Sequence, residues 1–318
     1  MERLRNKTAR PRRHRPAALL PAFILLLLSS CARDTAVVRR APAAAGPWWA
    51  SCTIGDTRIH YVDTGLCCCG SSILLVHGYL GSTGPFDDLI EGLSRYMRVV
   101  MPDLPAFGQS EVPSCACTME YYLDFLERFC SHVGLDRFYI AGTSMGANIA
   151  AHYTVAHTEQ IQGLVLISPF GLHNQDGRMA QIERWNNLLP LASSLVTKRA
   201  VERRLRGLIR NDERVTPEFV EGYWKPFTTP EGRKALVQVT RFIVGGVSMD
   251  GCLPRIEQPV LILVGTEDTL VSPEDCERFR ALLAHEELEI IEQCGHFLYL
   301  DSPEVVSRKI VTFTRGGM

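Results

Sequence analysis

The chain has 318 residues, 46% hydrophobic and 22% charged, with 34 Lys and Arg against 35 Asp and Glu. These proportions exclude disordered and collagen-like chains and suit one large α/β domain, with or without an insertion. Beyond residue 31 the body carries 27 basic and 34 acidic side chains, a net of −7, and so has no electrostatic reason to bind nucleic acid.

The first 31 residues differ in composition from the rest. Arg3, Arg5, Lys7, Arg10, Arg12, Arg13 and Arg15 form a basic leader, followed by the apolar run "AALLPAFILLLL" and then "LSSC". The apolar run is about a dozen residues, short of the roughly 20 that span a bilayer as a helix, so a signal peptide is expected. The "LSSC" ending resembles the lipobox of bacterial lipoproteins. That resemblance implies lipidation of Cys31, membrane association through the N-terminus and a place in the cell envelope. An uncleaved N-terminal anchor is the alternative. Residues 32–47, "ARDTAVVRRAPAAAGP", read as a tether.

Beyond the tether, apolar runs of strand length alternate with amphipathic segments of helical period. The predicted strands are "RIHYVDTG", "SILLVHG", "MRVVMPDLP", "RFYIAGTS", "GLVLISP", "PVLILVGTED" and "LEIIEQCGH". Predicted helices cover 119–132, 145–157, 273–285 and 303–314. Near-continuous apolar strands alternating with helices indicate a mostly parallel sheet covered on both faces, with a core in 48–172 and 256–318. Residues 173–255 contain helical patterns but no strong buried strand, and are expected to form a helical cap inserted above the sheet's C-terminal edge. Within it "TKRAVERRLRGLIR" places Val201, Leu205, Leu208 and Ile209 on one helical face and Arg203, Arg204, Arg206 and Arg210 largely elsewhere. A membrane surface could take that apolar face; a protein core is the expectation.

Eleven cysteines include the run Cys67-Cys68-Cys69 and the neighbours Cys115 and Cys117. With Cys31 lipidated an even ten remain, compatible with disulfides in an exported protein. Zinc-type Cys-x-x-Cys pairs are not evident, and no metal is expected.

The stretch "FYIAGTSMGANIA" runs from a strand into a helix through Gly142-Thr143-Ser144-Met145-Gly146. Gly-x-Ser-x-Gly forces a tight turn, and its glycines leave room where a Cβ would collide. Ser144 is thereby raised into the cleft beside a helix N-terminus that favours negative charge. A serine hydroxyl needs a base, and the base an orienting carboxylate. His296, in "EQCGH" past the last predicted strand, is the candidate base. "GTEDTLV" offers Asp268, with Glu267 as runner-up, since neighbours on a strand end point in opposite directions. The order Ser144, Asp268, His296 suits a triad, with oxyanion donors from the backbone N–H groups of Tyr79 and Met145. His77 precedes the nucleophile and is expected to shape its loop.

The segments "HGYLGS", "DLPAFGQS", "GTSMG", "GTEDTLV" and "CGHF" together resemble the α/β-hydrolase superfamily from about residue 54 to the C-terminus. "GTSMGANIA" and "EQCGH" resemble its monoacylglycerol lipase-like branch and bacterial lipase relatives. The resemblance implies an α/β-hydrolase fold and a capped serine hydrolase without cofactor, acting on lipophilic esters. A carbon–carbon-bond hydrolase using the same triad and a membrane-tethered binding protein on a hydrolase scaffold are the alternatives. One departure is Ala106, which stands at the first glycine of the usual Asp-x-x-Gly-x-Gly loop, while Asp103 and Gly108 are retained. Ser144 also departs from the branches that use an aspartate nucleophile.

Overall fold

A computed structural model describes residues 48–66, 70–172, 193–244 and 248–316. The leader with Cys31, the tether, Cys67–Cys69 and the first part of the expected cap, 173–192, lie outside the described residues.

One eight-stranded sheet organises the chain, in the order β1-β2-β4-β3-β5-β6-β7-β8. Its strands are β1 (Trp49–Ile54), β2 (Thr57–Asp63), β3 (Ser72–Val76), β4 (Arg98–Pro102), β5 (Phe138–Thr143), β6 (Ile161–Ile167), β7 (Val260–Gly265) and β8 (Glu286–Ile291). The first two pairings, β1 with β2 and β2 with β4, are antiparallel; all the others are parallel. Strand β1 is absent from the sequence expectation. It is an edge strand alternating exposed and half-buried residues with no buried position, so it lacks the apolar run that marks the inner strands.

The inner strands show why continuous apolar runs were needed. Leu74 and Val76 of β3, Ile140 of β5, Leu164 and Leu166 of β6, and Ile262 and Val264 of β7 pack into one core. Their neighbours Ile73, Leu75, Tyr139, Ala141, Val165, Ile167, Leu261 and Leu263 pack into a second core on the opposite face. A period of two thus feeds two cores, and a polar residue at any inner position would be buried.

The first face is covered by α2 (Met119–Val133) and α3 (Met145–Ala156), with Phe279 and Cys276 of α7 (Pro273–Leu282). The second is covered by α1 (Asp87–Ser94), the single turn α8 (Leu298–Asp301) and α9 (Pro303–Gly316). Helix α2 begins at Thr118, whose side chain accepts the Tyr121 N–H, and ends at Gly134 in the left-handed region. Between β6 and β7 lie α4 (Lys198–Leu208), α5 (Pro217–Trp224) and α6 (Pro230–Val244). Helices α4 and α5 pack Val201, Leu205, Leu208, Val220 and Tyr223 against the α8 side, whereas Val239 of α6 joins the other core. The apolar face of α4 is therefore inside the protein. Among the described residues, no helix is long and apolar enough to cross a membrane.

Seven cysteines are described, Cys52, Cys115, Cys117, Cys130, Cys252, Cys276 and Cys294, and all are free thiols. No disulfide joins any two of these seven. Five are buried in apolar surroundings, where a thiol serves as a small hydrophobe, and burial pushes Cys130 and Cys252 up to about 12.

Ala106 adopts φ 75°, in the left-handed region that the missing glycine would have occupied freely. Ala106→Gly is expected to raise stability by about 0.5–1 kcal/mol, relief of Cβ strain exceeding the added freedom of the unfolded chain. Urea unfolding of the two proteins checks this. Gly108 cannot be exchanged in the same way, since an added Cβ would stand 2.3 Å from the Asp103 carboxylate.

Candidate active site

The strand order reverses between β3 and β5, because β4 lies on one side of β3 and β5 on the other. Ligands of open α/β sheets bind at the carboxyl ends of the strands flanking such a switch point. The ends here carry "HGY" after β3 and "GTS" across the end of β5.

Ser144 has φ 53° and ψ −117°, a sparsely populated conformation for a residue with a Cβ. Its N–H donates to the Ile167 carbonyl (3.0 Å), tying the turn to β6. The glycines on either side are required by contact. A Cβ on Gly142 would stand 2.2 Å from the Gly146 carbonyl oxygen, and one on Gly146 would stand 2.3 Å from that of Val76. Helix α3 thus starts directly against the end of β3. Between buried neighbours Thr143 and Met145, Ser144 is only half-buried. Met145 opens α3, so its N–H is one of the helix's first donors, which have no intrahelical acceptor.

The loop after β3 lies beside this turn. A Cβ on Gly78 would be 3.1 Å from Ser144 Cβ and 3.8 Å from Ser144 Oγ, so the peptide leading to Tyr79 borders the serine. The Gly81 N–H donates to the Gly78 carbonyl (3.0 Å), closing a turn in which Leu80 takes φ 60°. His77 is fully buried and fixes this loop. Its Nε2 accepts the Leu104 N–H (2.9 Å), so Nδ1 carries the proton and donates to the Gly78 carbonyl (2.8 Å). Burial lowers the His77 pKa, which keeps the ring neutral. Two hydrogen bonds to backbone give His77 the structural place expected of it.

The Tyr79 side chain reaches the segment above the sheet. Its hydroxyl lies 2.7 Å from Thr240 Oγ1, and because Thr240 donates to the Leu236 carbonyl (2.6 Å), Tyr79 is the donor. Burial pushes the phenol up to about 12 despite that bond.

Asp268 and His296 meet at the ends of β7 and β8. His296 Nδ1 is 2.9 Å from Asp268 Oδ2 and 3.2 Å from Oδ1. The Leu270 and Val271 N–H groups donate to Asp268 Oδ1 at 2.8 and 3.1 Å. Burial acts to raise the Asp268 pKa, but the facing imidazole and these two N–H groups outweigh it and hold the carboxyl below the ordinary carboxylate range. An ionised Asp268 only accepts, so the His296 proton sits on Nδ1 and Nε2 keeps its lone pair. Glu267, the runner-up, is exposed and pairs with Arg210 (3.3 Å), so it does not face the imidazole.

With its folded pKa depressed, Asp268 contributes stability that is fully present above its unfolded value near 4 and is lost as pH falls through the lower folded value. Asp268→Asn is expected to flatten that acid limb. Urea unfolding between about pH 2 and 6 reads the difference.

Two further sets of contacts hold the histidine loop, and neither was legible in the motif. Its N–H donates to the Leu208 carbonyl at the end of α4 (2.8 Å). Asp301, five residues on, accepts the Gly295 N–H (2.8 Å) together with the Arg210 and Asn211 N–H groups (2.8 Å each). A carboxylate five residues after the histidine is the only sequence signal these contacts leave. They bind the end of α4 to the histidine loop. Among the described residues, no cluster of three or more His, Cys, Asp or Glu is placed to hold a metal ion.

A model of the alpha/beta hydrolase fold matches residues 72–303, and the chain belongs to that family of hydrolases. A curated relative, the 2-hydroxy-6-oxo-6-(2'-aminophenyl)hexa-2,4-dienoic acid hydrolase of Metapseudomonas resinovorans, is 24% identical over 266 residues, 81% of this chain and 88% of the relative. Among solved structures, a membrane phospholipase A described as a bacterial virulence factor superposes with a TM-score of 0.70 at 24% identity, covering 95% of this chain and 92% of its own. The haloalkane dehalogenase DbeA of Bradyrhizobium elkani gives a TM-score of 0.73 at 20% identity, covering 85% of this chain and 98% of its own. At these identities the solved structures establish the shared fold.

Proposed function

We propose that the protein is a serine carboxylic-ester hydrolase acting on lipophilic esters, with Ser144 as nucleophile, His296 as general base and Asp268 as the orienting acid. The observation that carries this reading is the buried Asp268–His296 pair, with the histidine's Nε2 free, in a fold that holds Ser144 on a strained turn at a helix N-terminus.

In the reaction, Ser144 Oγ adds to the ester carbonyl while His296 Nε2 takes its proton. Asp268 stabilises the imidazolium without itself being protonated. The Tyr79 and Met145 N–H groups hold the oxyanion, each donor worth about 3 kcal/mol in the transition state. Collapse expels the alcohol, which receives the proton from His296, and leaves an acyl-enzyme. Water, deprotonated by the same base, then releases the acid and restores Ser144. Helices α4, α5 and α6, inserted between β6 and β7, act as a lid over the acyl pocket. Cys31 anchors the protein at the cell envelope, a placement in keeping with the name of the membrane phospholipase A relative.

Haloalkane chemistry does not suit this nucleophile. Displacement of halide by an aspartate gives an alkyl ester that water can hydrolyse, whereas a serine would give a stable ether.

A second reading, hydrolysis of a carbon–carbon bond in a dienoic diketone by the same triad, is favoured by the Metapseudomonas resinovorans relative. Hydrolysis of p-nitrophenyl esters of two to sixteen carbons and of monoacylglycerols, beside a ring-fission dienoate, separates the two. Ester turnover rising toward medium or long chains supports the first reading. Turnover of the dienoate alone supports the second.

A further inference from the structure

Helix α4 and the residues just past it carry several arginines, and one stands apart. Arg199 and Arg203 are exposed; Arg206 pairs with Glu202 (3.0 Å) and Asp212 (3.5 Å); Arg210 pairs with Glu267 (3.3 Å). Arg204 has its Nε and Nη2 buried without a hydrogen-bond partner. The sequence pattern places this residue largely off the apolar face of the helix.

Its position is set by the helix. Arg204 lies one turn before Leu208, at the border of the helix's apolar face, and the Leu208 carbonyl receives the backbone N–H of His296 at 2.8 Å. Helix α4 thus runs up to the histidine loop, and Arg204 lies one turn back from that junction. The Asp268 charge acts on it, and that carboxylate is already held by His296, Leu270 and Val271. Burial lowers the Arg204 pKa to about 10, partly opposed by Asp268, so the side chain is still cationic at neutral pH. A buried cation with unused donors is costly in the free protein, and its planar fork matches a carboxylate or phosphate.

We infer that Arg204 is the anion-recognition residue of this site, and that the natural substrate carries a carboxylate or phosphate on the same molecule as the bond Ser144 attacks. The inference rests on Ser144 being the acyl-transfer nucleophile and narrows the substrate class to anionic amphiphiles.

Two matched pairs of esters test it with the full-length protein and its Arg204→Met and Arg204→Lys variants. p-Nitrophenyl butyrate against p-nitrophenyl hemisuccinate places a carboxylate on the acyl side; monoacylglycerol against lysophosphatidic acid places a phosphate on the alcohol side. In at least one pair the anionic member should be preferred. Arg204→Met should lower the anionic-to-neutral ratio of kcat/KM about 30-fold, mainly through KM, and Arg204→Lys should restore part of it. The Tm of Arg204→Met should equal or exceed the parent's, because an unpaired buried charge has been removed. A measurement needing no variant is competition: succinate or glycerol phosphate should inhibit neutral-ester hydrolysis competitively.

Neutral-ester turnover with a ratio indifferent to residue 204 and no competition would overturn the anion site and leave the esterase reading standing. A lower Tm with an unchanged ratio would make Arg204 a structural residue. A folded protein whose Ser144 reacts with neither ester nor fluorophosphonate would remove both readings.

Discussion

Ser144→Ala is expected to lower kcat for ester hydrolysis by about 10⁴- to 10⁶-fold while leaving the melting temperature nearly unchanged. Loss of the hydroxyl removes the atom that forms the acyl-enzyme, and what remains is the oxyanion donors and the binding pocket. The half-buried hydroxyl contributes little to packing, so stability should hardly respond. The turn itself is strained, with φ 53° at a residue bearing a Cβ. Ser144→Gly should therefore be equally inactive and more stable than the alanine variant by about 1 kcal/mol. Steady-state kinetics beside thermal unfolding of the three proteins checks both statements. Activity within tenfold of the parent in either variant would contradict the role of Ser144.

Gly146→Ala is expected to cost about 3 kcal/mol or more and to remove most activity with it. The new methyl would stand 2.3 Å from the Val76 carbonyl oxygen and 2.5 Å from that of His77, both fixed backbone atoms at the end of β3. No side-chain rotation relieves such a contact, so helix α3 must retreat from the strand. That retreat moves the Met145 N–H and Ser144 away from the Gly78–Tyr79 loop. For a chain of this size the cost corresponds to a fall in Tm of roughly 4–5 °C or more. Gly222→Ala in α5 is the control. Nothing lies within 4 Å of its added Cβ, and the change should stabilise by up to about 1 kcal/mol. Thermal unfolding of the two variants separates a glycine needed for contact from one that is merely present.

How much of this was legible in the sequence depends on what kind of signal each feature leaves. Strands β3 to β7 were readable because their residues are buried on both faces of the sheet, which demands an unbroken apolar run. Strand β1 has one face in solvent and sits at the edge, so "WASCTI" carries no such run. Helix α1 was missed as well; at eight residues it offers only Leu89, Ile90 and Leu93 as a buried face. Ser144 and His77 were readable because local backbone geometry dictates glycines and a strand end around them. The Asp268–His296 meeting required the fold, since 28 residues separate the partners, yet both stand at strand ends where the motif placed them.

Arg204 and Asp301 were not readable. Amphipathic periodicity counts any arginine as solvated, and only packing shows which guanidinium is enclosed. Asp301 acts on backbone N–H groups of two separate segments, which no periodic pattern encodes. The cysteines leave an ambiguous signal. Their number invites a disulfide reading, whereas the five buried ones occupy small apolar positions in the core.

The central claim is that Ser144 is a nucleophile activated by His296 and Asp268. Its most direct measurement is fluorophosphonate labelling of the folded protein, followed by mass analysis of the peptide that carries the adduct. The account predicts a single adduct on Ser144, formed at least about 10³-fold more slowly in Asp268→Asn. A folded protein that takes no label, or takes it on another residue, would contradict it.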